Sequence, residues 1–179
     1  MSSINGTDVG LLIARVGLAV LLAGHATQKL FGWFRGMGVT ATGEMFDRLG
    51  FRPGKLMVVV AGAGELVGAS LVGFGLLTSL GVAVILGTMI VAAATLAGKG
   101  LWAHLGGCEV PVVYALLAVV IGVAGPGRLS LDNALGWLAF DRWPVTGLAI
   151  AIGCLAAIPP LVRRRRFLQL ATATSPPGQ

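Results

Sequence analysis

The chain is short of charge. Asp, Glu, Lys and Arg make up 11% of its 179 residues, against about 25% in an ordinary soluble domain. Apolar residues make up 56%, and the mean hydropathy is +0.89. The deficit falls in long apolar runs, which argues against a soluble enzyme and places the chain in the membrane class. Aromatic residues are scarce at 7%, and no ten-residue segments of alternating polarity occur, which argues against an outer-membrane barrel. Cysteine is limited to Cys108 and Cys154. The first stands at a helix entrance and is read as structural, the second lies inside an apolar segment. Without a CxxC the dithiol and zinc-ribbon chemistries have no ligands, and no metal site is expected. His25 and His104 are the two histidines. One is in a helix and one in a loop, a poor basis for a bis-His haem site. The first ten residues hold no Lys or Arg, so the first apolar run is expected to be a retained helix rather than a cleaved signal peptide.

What the chain has is glycine, apolar runs and a few charges in unusual places. Glycine numbers 28, as expected where small residues let membrane helices approach closely. Five apolar segments are predicted as spans: Asp8 to Leu30, Lys55 to Leu77, Leu80 to Ala97, Glu109 to Ala124 and Val145 to Val162. The loop after the first contains a short amphipathic helix, Thr40 to Leu49, expected to lie on the bilayer surface. Trp33 and Phe34 read as interface anchors beside it. Gly64 and Gly68 form a GxxxG packing motif in the second span. Asn133 to Trp143 is expected along the surface. Arg163, Arg164, Arg165 and Arg166 read as a stop-transfer and an anchor to anionic lipid, and the segment 167–179 as a disordered tail. The expected fold is therefore all-α and membrane-embedded, with a four-helix core in 1–135 and a fifth transmembrane helix in 136–166.

The net charge of +6 does not imply nucleic acid, because the basic residues sit in short loops and one tail. With the N-terminus outside, Lys29, Arg35, Arg48, Arg52, Lys55, Lys99 and the four C-terminal arginines face inward, ten in all. Arg128 and Arg142 are left outside. That asymmetry predicts an N-out, C-in protein of the plasma membrane.

Charges within the spans define the candidate site. At about 100° per residue, Lys29 falls about 40° and His25 about 80° to one side of Arg15 on the first helix. The three form a stripe expected to face protein rather than lipid. Glu65 lies deep in the second span. Threading the two helices antiparallel puts Arg15 about 10 Å and Glu65 about 18 Å below the outer ends, and an Arg15–Glu65 pair is predicted. His25, Lys29 and Glu109 are expected at one depth near the inner end, Arg128 and Asp132 at the outer ends. Two uses follow. The charges neutralise one another and set helix register, or they line a polar pocket for a quinone headgroup or for protons.

Several stretches together resemble the DoxX family of small bacterial membrane proteins. They are Ala14-Arg15-Val16-Gly17, Gly24-His25, Gln28 to Phe34, Gly64-Glu65-Leu66 with Gly68, Gly75-Leu76-Leu77-Thr78, Cys108-Glu109-Val110-Pro111, and Gly125 to Asp132. The family's usual Gly-Gly-Tyr-Glu-type entry to the fourth helix reads Gly106-Gly107-Cys108-Glu109 here. The resemblance implies a four-helix core. It also implies redox or sulfur metabolism at the membrane: members are associated with quinone-coupled thiosulfate oxidation in archaea, and in actinobacteria with an oxidative-stress complex containing a sulfurtransferase and a superoxide dismutase. It supplies no catalytic residue. The leading expectation is a non-catalytic subunit that supports membrane redox or respiratory partners. The alternatives are a quinone-linked oxidoreductase subunit, with Arg15, His25 and Glu65 at the quinone, and a small-solute or proton transporter.

Overall fold

Where water is scarce, an apolar run satisfies its own backbone by forming a helix, and the long apolar runs here do so. The computed structural model describes residues 4–138 and 143–173. Among these residues are eight α-helices and no strand: α1 Gly6–Phe31, α2 Gly38–Arg48, α3 Gly54–Phe74, α4 Thr78–Leu96, α5 Glu109–Ala124, α6 Leu131–Ala134, α7 Trp143–Ala156 and α8 Ile158–Ala173. Helices α1, α3, α4 and α5 close into a ring, and α5 returns to α1. Helix α7 packs mainly on α4, outside the ring. We call the end where α1 begins the near end and the opposite end the far end.

The core is a narrow column of Leu18, Leu22, Val72, Val82, Ile85 and Ile121. Ile13, Val20, Leu116 and Val123 point outward and are exposed, the inside-out apolarity of a protein whose surroundings are lipid. Four helical segments are long and apolar enough to cross a membrane: Gly6–Phe31, Gly54–Phe74, Thr78–Lys99 and Trp143–Ala173. Helix α5 is apolar but has 16 residues, about 24 Å at 1.5 Å per residue.

Glycines set the helix spacing. Gly64 and Gly68 both face α4: a Cβ on Gly68 would come 2.7 Å from Ile85 Cγ1, and one on Gly64 3.1 Å from Thr88 Cγ2. On the other side of α4, a Cβ on Gly153 would come 2.6 Å from the Ala83 carbonyl oxygen, so α7 lies almost against the α4 backbone. A buried hydroxyl pair adds direction to this contact. Thr146 Oγ1 lies 3.0 Å from Ser79 Oγ and donates to the Gly122 carbonyl at 3.2 Å, tying α7 to α4 and α5.

The boundaries depart from expectation in three places, each for a local reason. Helix α3 stops at Phe74 instead of Leu77 because Gly75 takes a left-handed cap, φ +62. Helix α4 then starts at Thr78 instead of Leu80, because Asp132 captures its first amides. The last apolar segment is two helices. Pro159 and Pro160 cannot donate to Leu155 and Ala156, so α7 stops at Ala156, and the same prolines sit in the opening turn of α8, where a missing N–H costs nothing. Helix α8 runs through the four arginines to Ala173, seven residues into the stretch expected to be a disordered tail. Its Arg, Leu, Gln and Ala residues are good helix formers. The rest of that tail, 174–179, lies outside the described residues, as do Arg142 and part of the expected surface segment, which opens with the single turn of α6.

Helix α2 packs against the start of α3. A Cβ on Gly43 would come 2.9 Å from Lys55 Cγ, and Asp47 Oδ1 accepts from Gly54 N at 2.8 Å, capping α3. The turn before α2 leaves Trp33 58% and Phe34 72% exposed at the far end.

Candidate functional site

The register of α1 on α3 decides which charges meet. A Cβ on Gly62 would come 2.7 Å from Leu30 Cγ, and one on Gly73 2.8 Å from Ala19 Cβ. Continuing that antiparallel register puts Arg15 level with Leu77, at the near end, and Glu65 level with Thr27. The predicted Arg15–Glu65 pair does not form: Glu65 pairs with Lys29, and Arg15 donates to the Leu129 carbonyl. Two physical reasons combine. Helix α1 begins well before α3 ends, so counting both from a common outer surface misplaced Arg15. In addition, helical side chains lean toward their own N-terminus. On antiparallel neighbours Arg15 leans to the near end and Glu65 to the far end, so they diverge, whereas Lys29 and Glu65 converge.

The near cluster is built around Arg15 and Asp132, both fully buried. Arg15 Nη2 binds the Leu129 carbonyl, while Nε and Nη1 have no protein partner. Nη1 occupies the space a Cβ on Gly75 would need, so residue 75 must be glycine both for its positive φ and for this side chain. Asp132 caps α4 from the turn beyond α5. Its carboxylate accepts from Leu77 N at 2.7 Å, Thr78 N at 3.0 Å and Thr78 Oγ1 at 2.8 Å, and its own N–H donates to the Gly75 carbonyl at 2.8 Å. An anion at a helix N-terminus is favoured by the free amides and the helix dipole. The same turn is held to α1, where Arg128 N donates to Asp8 Oδ1 at 3.1 Å. Asp8 also forms the capping box of α1 with Asn5. The stretches Arg15, Gly75 to Thr78 and Gly127 to Asp132, far apart in sequence, are thus one lock.

The second cluster lies toward the far end. Glu65 is 2% exposed and Lys29 26%. Glu65 Oε2 has no partner, so the pair is sealed at the carboxylate and open at the ammonium. His25 meets Tyr114 of α5 edge to face, ring centroids 5.8 Å apart. His25 is nonetheless exposed, so the expected protein-facing stripe breaks into a buried arginine, a half-buried lysine and an outward histidine. Glu109 is not part of this cluster. Its carboxylate accepts from Ala103 N at 2.8 Å and orders its own loop. Tyr114, Gly75, Thr78, Leu129 and Asp47 were not singled out as site residues from sequence. The polar Thr78-Ser79 pair opening an apolar helix was the one available signal.

Both clusters draw on the first four long elements, and that stretch has a counterpart. The DoxX family model matches residues 10–98. This is a DoxX-family protein. The DoxX match covers α1 to α4 and ends before α5, so it includes Arg15, Lys29 and Glu65 but not Asp132, the cap of its own α4. No curated protein and no solved structure matches the chain. Family and fold together make it a membrane protein.

Proposed function

We propose that this DoxX protein is an integral membrane accessory subunit of a redox, respiratory or oxidative-stress assembly in a bacterial plasma membrane. One observation carries the reading: most of the described acidic side chains, and Arg15 with them, hold one chain segment to another. Asp132 caps α4, Asp47 caps α3, Asp8 holds the Arg128 amide, Glu109 orders its loop and Arg15 binds Leu129. Such a molecule is built to be rigid and to present a surface. In this reading α5 is a fifth, short span, α2 lies along the inner surface, the N-terminus is outside and α8 is cytoplasmic. The supports are the basic residues gathered at the far end and the exposed aromatic pair beside them. Affinity purification of the tagged protein from its own membranes in a mild detergent, followed by mass spectrometry, tests it. Redox subunits at near-stoichiometric yield are expected, and recovery of this chain alone would refute it.

The Lys29–Glu65 pair favours a second reading, a quinone-linked subunit. Glu65 Oε2 is an orphaned buried acceptor, left to take a hydrogen bond from a bound group. A groove of about 310 Å³ between α1 and α3 runs past Val16, Val20 and Phe74 to Ala23 and Ala69, and Ala69 is one turn from Glu65. Those apolar walls suit an isoprenoid tail, Glu65 and Lys29 a headgroup carbonyl and its proton. A group acting as general acid or base contributes at least about a hundredfold. Glu65→Gln should therefore lower quinone reduction in isolated membranes by that factor, and an unchanged rate removes this reading.

A further inference from the structure

Helix α8 does more than trail into solvent. Arg164 Nε donates to the Leu49 carbonyl at 2.9 Å, and its guanidinium lies over the Phe51 ring, 5.8 Å from the centroid. Gly50, φ +89, makes room for the contact: a Cβ there would come 3.0 Å from Leu168 Cγ and 3.2 Å from Arg164 Cγ. One arginine of the four is therefore a fastener that fixes α8 against the turn between α2 and α3. The docking leaves a cleft of about 560 Å³ lined by Asp47, Arg52, Pro53, Arg163 and Phe167. That volume falls within the range of small-ligand sites.

The walls of the cleft have a definite chemistry. Arg163 lies over the Phe167 ring at 5.6 Å, which holds its planar fork while leaving its N–H groups to other partners. Arg52 stands opposite on the turn and is exposed. No carboxylate lies within ion-pair distance of either among the described residues. Asp47, the one acid in the cleft, is committed through Oδ1 to the α3 N-terminus, whose dipole offsets its charge. Two arginine forks facing one cleft match the oxygens of a phosphate, which guanidinium binds bidentately. Pro53 and Phe167 supply apolar wall beside them. The cleft lies at the far end, where the apolar helices stop.

We propose that this cleft binds the phosphate headgroup of an anionic membrane lipid, with Arg52 and Arg163 as its ligands and Arg164 as the residue that positions them. A lipid so held would clamp α8 to the α2–α3 turn. Full-length protein in neutral detergent should be stabilised against thermal unfolding by added phosphatidylglycerol and not by phosphatidylcholine or inorganic phosphate. Native mass spectrometry should show bound phosphatidylglycerol. At about one charge contact per arginine, removing both through Arg52→Gln/Arg163→Gln should weaken that binding roughly thirtyfold. Arg165→Gln/Arg166→Gln, equal in charge lost but outside the cleft, should change it far less, because in neutral detergent no anionic surface attracts them. All four arginines replaced are exposed, and an unchanged monodisperse elution profile verifies that the variants fold. Equal losses in the two double variants would mean diffuse attraction and overturn the site. Stabilisation by inorganic phosphate as strong as by the lipid would overturn the lipid assignment.

Discussion

Asp132→Ala is expected to destabilise the folded protein by about 3–5 kcal/mol, the cost of breaking a buried charge system by removing one partner. The carboxylate accepts three hydrogen bonds from Leu77 and Thr78, which are the first amides and the first hydroxyl of α4. Alanine leaves them without that acceptor, and each group left buried and unsatisfied costs about 1–3 kcal/mol. The Asp132→Asn variant keeps one acceptor oxygen and loses the charge, so about half the effect is expected. Unfolding in mixed micelles with increasing dodecyl sulfate measures the series. An Asp132→Ala protein within about 1 kcal/mol of the parent, a loss no larger than that of one ordinary hydrogen bond, would show that the lock is not what holds the near end.

The second large effect is an asymmetry. Lys29→Met should cost about 3 kcal/mol, because it strands Glu65 as a buried, unpaired carboxylate. Glu65→Gln should cost only about 1 kcal/mol, because Lys29 is 26% exposed and its long stem lets the ammonium turn outward to water. Adding Glu65→Gln to Lys29→Met should then recover most of the loss, since the stranded charge is gone. The same micelle titration gives all three values. Equal costs for the two single variants would mean that the carboxylate is not the sealed partner.

Much of this fold is legible in the order of residues. Long apolar runs have one answer in an apolar solvent, and Glu109 to Ala124 forms a helix with the bounds expected. Helix ends were less legible where a distant residue sets them. Nothing near Thr78 says that α4 starts there, because the acceptor that starts it is Asp132, 54 positions away. Pairing of the charges was least legible. Arg15 and Lys29 lie on one helix, but depth counted from assumed helix ends cannot give the axial offset between helices. That offset is set by where Leu30 and Ala19 meet Gly62 and Gly73. The direction in which a side chain leans from an antiparallel helix was a rule available from the start, and it separates Arg15 from Glu65 without any coordinates.

The DoxX boundary carries a related lesson. The matched stretch 10–98 contains the two basic residues of the clusters and Glu65, but Leu129 and Asp132 reach in from beyond it. The near end of the DoxX core is finished by the turn that follows α5. The far end is finished by α8, through Arg164 on Leu49. A four-helix unit thus depends at both ends on the chain that follows it.

The buried charges form two separate systems at different levels of the bundle, Lys29 with Glu65 and Arg15 with the Leu129–Asp132 turn. Two double-mutant cycles test it most directly, one crossing Lys29→Met with Glu65→Gln and the other Arg15→Met with Glu65→Gln, each read by unfolding free energy. Contacting pairs show interaction energies of about 0.5–3 kcal/mol, and independent sites add to within about 0.5 kcal/mol. We predict roughly 3 kcal/mol of coupling for Lys29 with Glu65 and additivity for Arg15 with Glu65, both within those ranges. Coupling between Arg15 and Glu65, with additivity at Lys29, would contradict the register and the two-cluster arrangement built on it.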